Sequence, residues 1–113
     1  PAYGWAVLMA GGSLPNLPTG LEKGFLKDAA QMSVIKSQTE IQYILGNPEK
    51  GYIVYSKNGE ATVDLTASAK TYVAKWIDPA TGTGTPAGKV KGGKTITLKA
   101  PKAGTTVLWL SAK

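Results

Sequence analysis

The chain has no cysteine, no histidine and no arginine among its 113 residues. Without cysteine there is neither a disulfide framework nor a thiolate metal site, and the redox compartment is not written in the sequence. Without histidine, Ser-His and Cys-His nucleophile systems and imidazole metal sites are excluded. All thirteen basic residues are lysine, dispersed from Lys23 to Lys113 with no two adjacent, and against seven acids they give a net charge of +6. The planar fork that contacts guanine and phosphate bidentately is missing, which argues against specific nucleic-acid readout. A dispersed lysine coat reads first as a solvated surface and second as an attraction for an anionic partner such as an acidic polysaccharide. Long apolar runs are also lacking. The longest uncharged apolar stretch, Ala2 to Gly12, falls short of the roughly 20 residues a membrane-spanning helix needs, so no membrane partner is expected.

A chain of this length forms one domain, burying about 65% of its unfolded surface. It starts at Pro1 with no basic segment ahead of an apolar one, so the expectation is a fragment whose targeting segment was removed or lay upstream. Residues 1–38 read as an apolar and helical lead-in. Tyr3 to Ala10 carries Trp5, Val7, Leu8 and Met9 without a charge and ends on Gly11-Gly12, which can stop a helix. Leu14-Pro15-Asn16-Leu17-Pro18 is extended by its prolines. Thr19 and Glu22 fit a capping box, predicting a helix with Leu21, Phe25, Ala29 and Met32 on one face and Glu22, Lys23 and Lys27 toward water.

From residue 39 the hydrophobic period becomes two and the punctuation becomes that of strands. Asn58-Gly59 suits a type I′ turn and predicts a hairpin of strands 51–57 and 60–66 with Lys57 facing Glu60. Lys91-Gly92-Gly93-Lys94 repeats the device between 86–91 and 94–100, and Pro101 to Gly104 turns the chain into a last strand near 105–111. Tyr72, Ala74 and Trp76 share one face of another strand, with Val73, Lys75 and Ile77 on the other. Ile96 and Leu98 oppose Thr95, Thr97 and Lys99. The final strand is apolar on both faces, Val107 and Trp109 against Leu108 and Leu110, which places it centrally or beneath the lead-in. Seven or eight short strands with no intervening helix predict a mostly β fold, an antiparallel two-sheet β-sandwich with a short N-terminal helical and irregular lead-in.

Chemistry is sparse. Glycoside hydrolysis requires two carboxylates facing each other across a substrate. Several of the seven acids have structural uses instead: Glu22 as a cap, Glu60 beside a turn, Asp78 bonding amides within an Asp-Pro turn. Asp64 and Asp78 have no calcium-loop spacing. The glycine runs near Gly82 and Gly92 open no helix and so make turns rather than phosphate cradles. No catalytic residue, metal site or cofactor is therefore expected. The aromatic residues serve as core or as ligand surface. Tyr52 and Tyr55 lie on opposite faces of one strand, so at least one points away from the inter-sheet core. Tyr52, Tyr55 and Trp76 are the ligand-contact candidates, with core packing the stronger expectation for Trp76 and Trp109.

The order Tyr43-Ile44-Leu45-Gly46-Asn47-Pro48, Gly51-Tyr52-Ile53-Val54-Tyr55, Val63-Asp64-Leu65, Trp76-Ile77-Asp78-Pro79-Ala80-Thr81-Gly82, Ala100-Pro101 and Val107-Leu108-Trp109-Leu110 resembles the collagen-binding-type C-terminal domain of bacterial glycoside hydrolases, including apiosidase-related families. The likeness covers residues 40 to 111, and the Trp-x-Asp-Pro-x-Thr-Gly turn is its most distinctive part. Ala6 to Pro15 is similar to the stretch that joins the catalytic barrel to that sandwich. The resemblance implies a secreted or periplasmic, cell-surface setting and a non-catalytic accessory domain over 39–113. It also implies a junction over 1–38 and, as partners, the catalytic domain of the same polypeptide and polysaccharide or collagen. On this reading the apolar Tyr3 to Ala10 segment is an interface whose partner is missing, and the isolated fragment is expected to dimerise through it or to repack.

Overall fold

The structure, a computed structural model, describes residues 4–12 and 16–113. Tyr3 and the Leu14-Pro15 pair of the extended-backbone expectation lie outside the described residues. The elements run α1 (Trp5–Met9), α2 (Lys23–Ala29), β1 (Ser33–Ile35), β2 (Gln42–Asn47), β3 (Gly51–Ser56), β4 (Glu60–Asp64), β5 (Thr71–Ile77), β6 (Gly84–Lys91), β7 (Thr95–Lys99) and β8 (Thr106–Ala112). Six strands form one antiparallel sheet in the order β1-β2-β3-β8-β5-β6, and β4 pairs with β7 in a second. The mostly β sandwich read from the alternation is the fold observed.

The strand period decides which residues fill which core. On the side of the large sheet facing the small one, Ile44, Tyr52, Val54, Tyr72, Ala74, Trp76, Leu108 and Leu110 meet Ala61, Val63 and Ile96. On its other side Leu45, Ile53, Ile77, Val107 and Trp109 meet Trp5, Leu8, Met9, Phe25 and Ala29 from the two helices. The strand that the sequence makes apolar on both faces, β8, is central and covered on both sides. The lead-in helices thus form a third layer, and the apolar face of α1 is occupied by the chain's own sheet. This supplies a physical reason for the apolar Trp5–Met9 segment without any missing partner. Among its large residues only Val7 stands exposed, at 47%.

Three local expectations are corrected. Asn58-Gly59 does not close a hairpin: β3 pairs with β2 and β8, whereas β4 pairs with β7, with Glu60 opposite Lys99 rather than Lys57. Gly59 takes φ 77, as the turn chemistry requires, but the chain uses the turn to cross from one sheet to the other. Lys91 to Lys94 is likewise a corner, since β6 pairs with β5 and β7 with β4. The Thr19–Glu22 capping box is absent. Glu22 itself stands at the N-cap in extended conformation with no side-chain cap bond, and its carboxylate accepts from Lys75 Nζ at 2.6 Å. The lead-in also contributes a strand, β1, on the edge beside β2.

Helix α1 ends as its glycines allow. Gly11 adopts φ 83, the Gly11 amide bonds the Leu8 carbonyl at 2.9 Å and the Gly12 amide bonds Val7 at 2.8 Å, the paired bonds of a Schellman stop. No helix of the described residues is long and apolar enough to cross a membrane.

Candidate functional site

The Trp76–Gly82 turn is where the layers are joined. Asp78 accepts the Ala80 amide on Oδ1 at 2.8 Å, and its own backbone bonds Thr83 and Gly82, which fixes an Asx-type turn. The carbonyl of Pro79 accepts the Trp5 indole N–H at 2.8 Å, tying α1 to the end of β5. Gly82, at φ 83, leaves no room for a side chain because the backbone of Gly20 and Leu21 lies against it. The motif therefore receives the lead-in, a role that its spacing alone did not reveal.

The same turn forms one wall of a cleft of about 330 Å³ at one end of the sandwich, opposite the loop from Ala100 to Thr106. Trp76, whose ring belongs to the inter-sheet core, supplies apolar surface on one side of it; Asp78, Thr85, Lys102 and Thr105 bring a carboxylate, hydroxyls and an ammonium to its lining. Trp76 is 7% exposed. The other two tryptophans spend their indole N–H within the fold, Trp5 on Pro79 and Trp109 on Asp28 Oδ2 at 3.1 Å. Trp76, which lines the cleft, donates its indole N–H to no acceptor among the described residues.

A second cleft of about 530 Å³ separates the β1–β2 connection from the outer edge of β4. Two of its polar side chains, Gln42 and Asp64, are committed to the fold. The Gln42 amide group bonds both the carbonyl and the amide of Thr62, at 2.5 and 3.0 Å, and so closes the exposed edge of β4. The Asp64 carboxylate accepts from the Thr66 hydroxyl and amide, which together hold it below the usual carboxylate range.

Of the candidates read from the sequence, the structure brings only Trp76 to a cleft. Tyr52 is 2% exposed in the inter-sheet core, edge-on to Tyr72 at 5.6 Å, and burial with the neighbouring Tyr72 pushes its hydroxyl up to about 12. Tyr55 does point away from that core, but onto it folds Trp5, with ring centroids 6.3 Å apart. Its cross-strand neighbour Tyr43, 6.2 Å away, was not singled out from the sequence and is 45% exposed, with the Lys57 ammonium 5.4 Å from its ring. The signal for Tyr43 is its place opposite Tyr55 in the β2–β3 register, which only the pairing reveals.

Most acids serve the fold. Asp28 accepts from Trp109 and, at 2.9 Å, from the Ser111 hydroxyl, pinning α2 to β8. Glu22 pairs with Lys75, and Glu49 lies 3.6 Å from Lys70. Among the described residues no cluster of three or more acids could hold a metal ion.

No protein-family model and no curated protein matches the sequence. Among solved structures the chain is similar, at TM-score 0.54 and 16% identity over 69% of its length, to a chain described as a glycoside hydrolase, of which it covers 19%. It is equally similar, with the same score, identity and share of its own length, to a glycoside hydrolase family 5 protein from Bacteroides vulgatus ATCC 8482, of which it covers 18%. At this identity the likeness establishes a shared fold. The chain thus has the β-sandwich architecture of a segment that makes up less than a fifth of those glycoside hydrolase chains.

Proposed function

We propose that the chain is a non-catalytic accessory β-sandwich of a secreted bacterial glycoside hydrolase, bracing the catalytic domain of the same polypeptide and contacting polysaccharide. The observation that carries this reading is the match to a small part of glycoside hydrolase chains, covering 19% and 18% of them. The commitment of Glu22, Asp28, Asp64 and Asp78 to structural bonds fits a role without hydrolysis. Val7 and Val34, 47% and 56% exposed on either side of Gly11-Gly12, supply an apolar patch for a neighbouring domain, and the same patch is where isolated copies would associate.

The test compares the parent polypeptide with and without this module. A brace lowers the melting temperature of the catalytic domain when removed, with turnover of soluble substrate falling at elevated temperature. Unchanged melting and unchanged turnover would defeat it.

A second reading, adhesion to collagen or an insoluble glycan, draws on the Tyr43–Tyr55 pair, whose partly open rings lie beside Lys57. Retention on a collagen or cellulose matrix that is lost in Tyr55→Ala would favour it; absence of retention on any matrix would remove it.

A further inference from the structure

We propose that the cleft between the Trp76–Thr85 turn and the Ala100–Thr106 loop is a subsite for one uncharged sugar residue of a polysaccharide, a proposal that rests on the glycan-contacting part of the reading above. Three features of the cleft converge on this ligand. The first is the unspent indole N–H of Trp76. A buried tryptophan ordinarily finds an acceptor within the fold, as Trp5 and Trp109 do here, whereas Trp76, which lines the cleft, has none among the described residues. Sugar hydroxyls are acceptors of the required kind.

The second feature is the balance of the rim. Asp78 has one oxygen engaged by Ala80, leaving the other to accept from a hydroxyl, while Lys102 on the facing loop donates. One acid and one base are the charged residues of the lining, which therefore carries no net charge to recruit an anion. Thr85 and Thr105, both exposed, add groups that donate or accept as a hydroxyl requires. The third is size and lining. About 330 Å³ lies at the small end of the roughly 300–1,000 Å³ typical of small-molecule sites, enough for one ring unit, and the edge of Trp76 with Pro79, Ala100 and Pro101 gives its lining apolar surface for the C–H groups of a sugar. The larger cleft beside β4 is lined by no tryptophan, and its Gln42 and Asp64 are engaged by Thr62 and Thr66.

The experiment uses the ¹⁵N-labelled chain and, as probes, the methyl glycosides of xylose, arabinose, glucose and galactose, titrated to about 50 mM because so small a ligand binds in the millimolar range. The Trp76 indole resonance is expected to shift saturably with at least one probe while those of Trp5 and Trp109 stay in place. Asp78→Asn, which keeps the turn acceptor, and Trp76→Phe, which keeps an aromatic ring in the core, should each weaken binding about threefold to tenfold. Affinity is then read on the Lys102 and Thr105 amides, and an unchanged spectrum elsewhere establishes that each variant is folded. An unmoved Trp76 resonance with every probe overturns the subsite, as do shifts centred on Tyr43 and Tyr55. Retention of the chain on an insoluble polysaccharide in that case leaves the broader reading standing; absence of retention as well removes the glycan-contacting part of both.

Discussion

Tyr52 illustrates how a single side chain can look like a binding residue in sequence and be a core residue in space. Its ring is enclosed by the sheets and meets Tyr72 edge-on, while the Tyr72 hydroxyl bonds the Pro48 carbonyl and Ser68 Oγ, both at 2.5 Å. A raised phenol favours the neutral form in the folded state. Its contribution to stability is complete below the ordinary tyrosine value of 10.0 and is lost as pH rises toward 12. Two units correspond to roughly 2–3 kcal/mol at most. Tyr52→Phe should therefore lose less stability between these pH values than the parent chain, and denaturant melts at pH 9 and pH 11.5 measure the difference. Equal losses would show that the hydroxyl is not the group responsible. Gln42 acts at the same scale by covering the Thr62 edge of β4. Gln42→Leu removes both bonds, but Thr62 is exposed and water can replace them, so a loss of about 1 kcal/mol is expected at the low end for a lost polar partner. Light scattering on warming should rise with it, because an unguarded strand edge pairs with other copies.

The elements were legible to different depths for a physical reason. Alternation of side chains fixed the faces of β5, β7 and β8, because a strand has a period of two whatever sheet it joins. The turns fixed backbone shape only. Asn58-Gly59 called for a positive φ and Gly59 has one, yet that dihedral does not specify whether β4 returns beside β3 or crosses to β7. The crossing is decided by Ala61 and Val63, which cover the inner face of the large sheet. The site was less visible still. Trp76 and Asp78 could be read from their motif, whereas Lys102 and Thr105 reach the same cleft from a loop more than twenty residues away along the chain, a proximity that no local pattern encodes. Helix α1 yields the prediction at this scale. Five residues cannot hold a helix alone, so it depends on packing and on the Trp5–Pro79 bond. Trp5→Ala should cost about 3–5 kcal/mol, while Trp5→Phe, which keeps most of the packing, should cost appreciably less. Thermal melts of the two variants check the order, and equal costs would mean that the indole hydrogen bond outweighs the packing.

At the scale of the molecule, one sheet carries two cores, and this bears on whether residues 1–38 and 39–113 behave as separate units. Ile53 and Val54 are neighbours on β3, yet Ile53 packs against the helices and Val54 against the small sheet; Val107 and Leu108 repeat the arrangement on β8. Neither layer can leave without exposing half of the strands on which the other rests. Phe25, fully buried in the outer core, and Leu65, fully buried in the inner one, should therefore report on one equilibrium. Phe25→Leu and Leu65→Ala are each expected to lower a single cooperative transition, the second by about 2–5 kcal/mol. For a chain of this length each kilocalorie corresponds to a shift of roughly 4 °C. The measurement is far-ultraviolet circular dichroism followed together with tryptophan fluorescence, since Trp5 and Trp109 sit in the outer core and Trp76 in the inner. Coincident curves in both variants would make the lead-in an integral layer of the sandwich. A separate early transition in Phe25→Leu, with the remaining melt unmoved, would instead make it a detachable junction, and the outer face of the large sheet would then be free to bind another surface.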